Sequence, residues 1–242
     1  MIKKICFATG IISIFMGFLN ASETSDSVLK YYAKTLENLK GVKVKYVNSE
    51  TYKGFEVINV DLIKNGEARK HFMFVKEGLL FNDILDLKTM KSYRETLKGE
   101  KFIELAENGN DVLKIGSNAN DVLWVFLDIE CPYCKKYSGE LRKLSKEKQI
   151  NLVFLNVVGA EYGITKTVNL EKDFKKAKTD EERINVIEKY FSYSENNLKS
   201  SKDENQVIIN RSKKYREYGI EYVPFTIEKG SSKWKRAFCY IF

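Results

Sequence analysis

A run of six apolar residues, Val122 to Leu127, followed shortly by Cys131-Pro132-Tyr133-Cys134, constrains this chain more than any other feature. A continuous run of that length reads as a strand buried on both faces, and the polar segment after the cysteines is helix-compatible. At a helix N-terminus the Cys131 sulfur faces unpaired backbone N–H groups and the positive end of the macrodipole, which favour thiolate over thiol. Pro132 falls in the first turn, where its missing N–H costs nothing. Cys134 shares the helix face and is within reach of a disulfide. The pattern thus makes Cys131 the attacking sulfur and Cys134 the resolving one. A bridge closing so short a loop removes little unfolded-state entropy and is easily reduced, which suits redox exchange better than a structural staple.

Two other readings compete. Half of a structural zinc site needs about four ligands, and outside the pair the chain supplies Cys6, Cys239 and a single histidine, His71. A structural loop bridge is the second alternative.

The chain has 2 prolines, and the other lies in Gly219-Ile220-Glu221-Tyr222-Val223-Pro224-Phe225-Thr226-Ile227. Together, the buried strand, the Cys-Pro-Tyr-Cys pair and this later Val-Pro before a β-prone segment resemble the thioredoxin superfamily. The resemblance is greatest to the periplasmic DsbC/DsbG disulfide isomerases, in which an Asp three residues before the first cysteine recurs, as Asp128 does here. It covers the chain well from about residue 122 and the N-terminal third only in layout. It implies a cis Pro224 packed beside the cysteine pair. Val223 then offers its backbone to an extended client, so that Pro132, Tyr133, Val223 and Pro224 form the substrate-binding surface around Cys131 and Cys134. It also implies an N-terminal dimerisation module, a membrane electron donor of the DsbD kind, and no cofactor, the dithiol being itself the redox group. Two features depart from the isomerases and oxidases respectively. Isomerases usually place Thr before the cis proline, where this chain has Val223. Oxidases usually carry His inside the pair, and Tyr133 cannot supply an imidazolium.

Read from its start, the chain opens on the basic Lys3-Lys4, an apolar stretch over residues 5–19, and the small Ala21 before polar residues. This reads as a secretory signal peptide over residues 1–21, since the stretch falls short of the roughly twenty residues that span a bilayer. Export follows, to the periplasm as the resemblance implies; Cys6 leaves with the signal, and an oxidising compartment permits disulfides. The formal charge of +8 is spread through mixed-sign segments. That is a solvated surface rather than a nucleic-acid footprint.

Residues 22–85 read as a helix plus an antiparallel meander. Val28, Leu29, Tyr32, Leu36 and Leu39 recur at helical spacing over 25–40. β-prone runs follow at 42–47, 54–63 and 71–75, and Asn65-Gly66 signals a hairpin between the last two. A sheet this small leaves an edge and a face to cover, either by a downstream helix or by a second copy; the family resemblance favours a homodimer. His71 has no nucleophile or ligand near it in sequence and reads as structural. Residues 86–109 read as a linker helix, and 110–242 as an α/β thioredoxin-like catalytic domain.

Within that domain a helix over 135–148 and a strand over 151–158 complete a right-handed β-α-β unit. A helical insertion precedes Pro224, with a capping box at Thr179-Asp180-Glu181-Glu182 and a further helix over 203–218. A hairpin over 225–242 then ends the chain where the family fold adds a final helix, and Cys239 has no evident partner. The expectation is a periplasmic thiol-disulfide isomerase or reductase acting on misfolded or misoxidised secreted proteins. The alternatives are a dithiol oxidase using the same pair, and a dimeric holdase chaperone in which the cysteines are secondary.

Overall fold

The computed structural model describes residues 17–36, 41–194 and 197–229. The chain divides into two compact units, Met1–Asn82 and Asp83–Phe242. Most of the expected signal peptide, with Cys6, lies outside the described residues, as does the second C-terminal strand with Cys239.

The first unit is one helix and a four-stranded antiparallel meander. Helix α1 (Gly17–Thr35) begins earlier and ends sooner than the periodicity suggests, and strands β1 (Lys43–Tyr52), β2 (Phe55–Lys64), β3 (Glu67–Lys76) and β4 (Leu79–Phe81) lie side by side in chain order. Three tight turns join them, at Lys53-Gly54, Asn65-Gly66 and Glu77-Gly78, and both residues of each have positive φ. That is the backbone of hairpin turns whose twist matches the strands. Glycine at the second position makes it accessible, and the lysine and glutamate turns escaped reading because neither residue favours positive φ. Val28 and Tyr32 of α1 bury against Ile58, Val60, Met73 and Val75 on alternate positions of β2 and β3. The Tyr32 hydroxyl hydrogen-bonds His71 Nδ1, a structural role for the single histidine. The other sheet face carries Phe55, Phe72, Phe74 and Phe81, whose rings meet edge to face.

The second unit opens with two short strands, β5 (Leu85–Asp86) and β6 (Lys91–Ser92), and helix α2 (Tyr93–Gly109). This corrects the linker helix expected over 86–109. Ser92 accepts the Glu95 N–H at 3.0 Å and starts the helix there. The boundary expected near Gly109 moves to Asn82, because α2 buries Phe102, Leu105 and Ala106 in the core of this unit. Strands β7 (Leu113–Ile115), β8 (Val122–Leu127), β9 (Gln149–Phe154) and β10 (Phe225–Lys229) form one sheet in the order β10-β8-β9-β7. β8 and β9 are parallel and the outer two run antiparallel to their neighbours.

The apolar run of β8 is buried on both faces, as its composition requires. Leu123, Val125 and Leu127 join one core with Ile150, Leu152, Ile184 and Ile187, while Trp124 and Phe126 join another with Phe102, Tyr215 and Ile227. Between β8 and β9 the expected single helix is two short ones, α3 (Pro132–Ser138) and α4 (Leu141–Leu144), separated at Gly139-Glu140. Three helices follow β9: α5 (Glu161–Lys176), α6 (Asp180–Ser192) and α7 (Lys202–Glu217). The first was not expected. Its buried positions include Gly163, Lys166 and Thr167, so the inward face carries no clean apolar stripe. This central β-α-β unit with helices on both sheet faces is an α/β arrangement, as the sequence suggested, and the first unit is α+β.

α6 begins with the capping box read at Thr179 and Glu182, and α7 has a second at Ser201 and Glu204. The Lys172 ammonium, and then the Ser201 N–H, hold the Glu204 carboxyl down at about 2. Its folded value lies below its unfolded one, so this contribution is present above about pH 4.3. It is lost as pH falls toward about 2. Glu204→Gln should therefore flatten the acid limb of a melting-temperature profile across that window; an unchanged limb would count against the assignment.

Candidate functional site

The site forms where β8 ends. Asp128 turns the chain: its carbonyl accepts the Cys131 N–H at 3.1 Å, and its Oδ1 accepts the Glu130 N–H at 2.8 Å. Its Oδ2 takes the N–H groups of Val157 and Val158, each at 2.7 Å. One buried carboxylate thus ties the loop after β8 to the loop after β9. Burial pushes that carboxyl up although three backbone donors pull it down.

Cys131 occupies the N-cap of α3 with extended backbone, and Pro132 is the first helical residue. Its carbonyl accepts the Lys135 N–H at 3.0 Å, which commits the chain to a helix beneath the sulfur. Cys131 is 6% exposed and Cys134 0%, both as free thiols. Burial pushes the Cys134 thiol up strongly, against the Asp128 N–H that reaches its Sγ at 3.4 Å. Both cysteines are therefore buried, the inner one completely and the outer one with a small part of its surface exposed. Tyr133 stands exposed beside them.

The second proline arrives from far along the chain. Val223-Pro224 is a cis peptide bond, and the Cys131 thiol donates to the Val223 carbonyl at 3.4 Å. α7 is capped at Tyr218, Gly219 takes positive φ, and Ile220 buries beside Tyr215 and Ile227, which aims the following loop at the cysteines. Cys131, Cys134 and Val223 are thus brought to one place, with Pro132, Tyr133 and Pro224 their chain neighbours there.

The sequence reading passed over two residues at this site. Glu130, immediately before the outer cysteine, pairs with Lys166 of α5 at 2.8 Å. Its own position was visible in the sequence; no local signal marks Lys166, which lies among Thr and Val residues of an unexpected helix. Among the described residues no group of three or more His, Cys, Asp or Glu is placed to hold a metal ion, and no helix is long and apolar enough to cross a membrane.

No protein-family model matches the chain, and neither does any curated protein. Among solved structures it is similar to DsbG of Helicobacter pylori, at 18% identity over 84% of this chain and 100% of that one, with a TM-score of 0.46. A linker-deleted ScsC variant of Proteus mirabilis aligns at 16% identity over 57% of this chain and 73% of that one, with a TM-score of 0.44. The thiol-disulfide exchange protein alpha-DsbA2 of Wolbachia pipientis aligns at 17% identity over 58% and 89%, with a TM-score of 0.41.

Proposed function

We propose that this chain is an exported thiol-disulfide oxidoreductase of the DsbC/DsbG kind, acting in the periplasm as a disulfide isomerase or reductase through Cys131 and Cys134. The observation that carries the reading is the 3.4 Å approach of the outer thiol to the Val223 carbonyl, 92 residues along the chain. Exchange needs an attacking sulfur, a shielded second sulfur and an edge of backbone that lays an extended client across them.

Each step then balances in sulfur and electrons. The Cys131 thiolate attacks one sulfur of a client disulfide, forming a mixed disulfide and expelling the other client sulfur as thiolate. In isomerisation a different client thiolate attacks the mixed disulfide, a new client bridge forms and Cys131 leaves, with no net oxidation. In reduction Cys134 attacks the Cys131 sulfur, and its proton passes to the client thiolate that leaves. The client departs with two thiols and the protein holds a Cys131–Cys134 bridge, which a membrane electron donor must reduce. The wholly buried Cys134 does not compete with Cys131 for clients in the first step. A homodimer gripping misoxidised proteins between two such sites fits this role.

A second reading, dithiol oxidase, runs the same steps backwards. It is favoured by Val223 before the cis proline and needs a partner that keeps the pair oxidised.

Cells producing the Cys134→Ser variant should accumulate covalent adducts between Cys131 and client proteins, visible on non-reducing gels and dispersed by dithiothreitol. A lack of adducts would remove exchange as the function. Rapid alkylation of the unsubstituted protein separates the directions: a reduced pair fits an isomerase, an oxidised pair an oxidase.

A further inference from the structure

A carboxylate beside a thiol opposes its ionisation by like-charge repulsion. In this chain Glu130 directly precedes the attacking sulfur, and another element answers its charge. Lys166 on α5 sets Nζ 2.8 Å from Glu130 Oε1, with its side chain 5% exposed. Nζ also donates to the Tyr193 carbonyl beyond α6 at 2.9 Å. Gly163, one turn earlier on α5, makes the approach possible, since a Cβ there would stand 2.8 Å from Glu130 Cγ. An ammonium is costly to bury, and this one is placed by a glycine, a carboxylate and a carbonyl from three parts of the chain.

We propose that Lys166 is a positioning residue for Cys131. By drawing the Glu130 side chain against α5 and cancelling its charge, it lets the adjacent thiol ionise, the proton leaving to solvent. The inference rests on the exchange chemistry proposed above. The other titratable groups of this segment are Asp128, whose carboxyl burial and then Glu130 push up against its backbone hydrogen bonds, the exposed Tyr133, and Cys134 on α3. The cis-proline loop brings the neutral Val223 carbonyl. Lys166 is thus the positive charge that α5 supplies to this cluster.

The test is the pH dependence of Cys131 alkylation by iodoacetamide in the full-length protein carrying Cys134→Ser. The Cys131 peptide is read by mass spectrometry, because Cys6 and Cys239 also bring thiols. Lys166→Met should move the alkylation midpoint up by about one pH unit, roughly a tenfold slower reaction below it. Lys166→Arg should keep the original profile. Adding Glu130→Gln to Lys166→Met should restore it, and Glu130→Gln alone should move it down. If Lys166→Met does not fold, the Glu130→Gln profile decides. Variants that melt at lower temperature yet share one profile would overturn the proposal, leaving the pair a purely structural tie. Failure of the exchange reading itself would look different: the protein with both active-site cysteines intact would form no mixed disulfide with oxidised glutathione.

Discussion

Replacing Cys131 with alanine should abolish thiol-disulfide exchange, lowering the rate of scrambled-ribonuclease refolding by more than about a thousandfold, to that of the uncatalysed reaction. The effect is this large because the sulfur forms the bond, and a nucleophile has no partial substitute. Cys134 cannot take over. It is wholly buried and its proton is held tightly by that burial, so a client disulfide neither reaches it nor meets a thiolate. The same variant separates an enzyme from a holdase. Cys131 lies at a helix N-cap whose carbonyl already closes the first turn, and alanine leaves that backbone bond intact. The variant should therefore fold and keep any capacity to suppress aggregation of reduced, unfolded clients. Refolding activity that survives the substitution would sink the exchange mechanism and favour the holdase.

The second large effect is on stability. Arg211→Met should lower the unfolding free energy of the second unit by about 3–5 kcal/mol, the usual consequence of removing one member of a buried ion cluster. The guanidinium lies 5% exposed on α7. Its Nε meets Asp111 Oδ1 at 2.8 Å, its Nη1 pairs with Glu171 of α5, and the same nitrogen donates to the Phe154 carbonyl at the end of β9 at 3.1 Å. One side chain therefore joins two helices, a strand end and the segment after α2. Methionine fills similar space but leaves two largely buried carboxylates and a carbonyl without their cation. Neutralising the acids as well, in Arg211→Met with Asp111→Asn and Glu171→Gln, should recover more than half of the loss. Urea unfolding followed through tryptophan fluorescence measures both, and a single-variant loss under about 1 kcal/mol would refute the account.

The pH dependence has a definite sign. Burial already pushes the Asp111 carboxyl up, opposed by Arg211. A carboxyl raised in the folded state contributes stability below its unfolded value, about 3.9, and loses it as pH rises through the folded value. Removing Arg211 removes the group that limits this rise. The gap between variant and parent should therefore widen from acid toward neutral pH.

These two clusters mark how far the residues could be read in order. Cys131, Cys134 and the buried strand before them were legible because their spacing is local: an apolar run too long for one face, then two thiols on one turn of helix. The hairpin at Asn65-Gly66 and the capping box at Thr179 and Glu182 were legible for the same reason, each resting on residues within one turn of each other. The buried arginine falls at helical spacing with Ile208 and Tyr215, yet nothing local marks the acids that pair with it. Lys166 carries no local mark either, and α5 itself was missed because its inward face is half polar.

Cis Pro224 lies between. Its neighbours suggested that it meets the cysteines through resemblance, and the distance from Cys131 to the Val223 carbonyl places the two together.

What the order of residues determined alone is therefore the cysteine pair, the strand that carries it and the Asn65-Gly66 turn of the meander, since backbone geometry, periodicity and caps act over a few residues. What only the tertiary structure decided is which charges are buried with which: Glu130 with Lys166, and Arg211 with Asp111 and Glu171. Desolvation and pairing depend on neighbours 36 or more positions away, and a charge shows no local mark of whether water or another side chain will answer it.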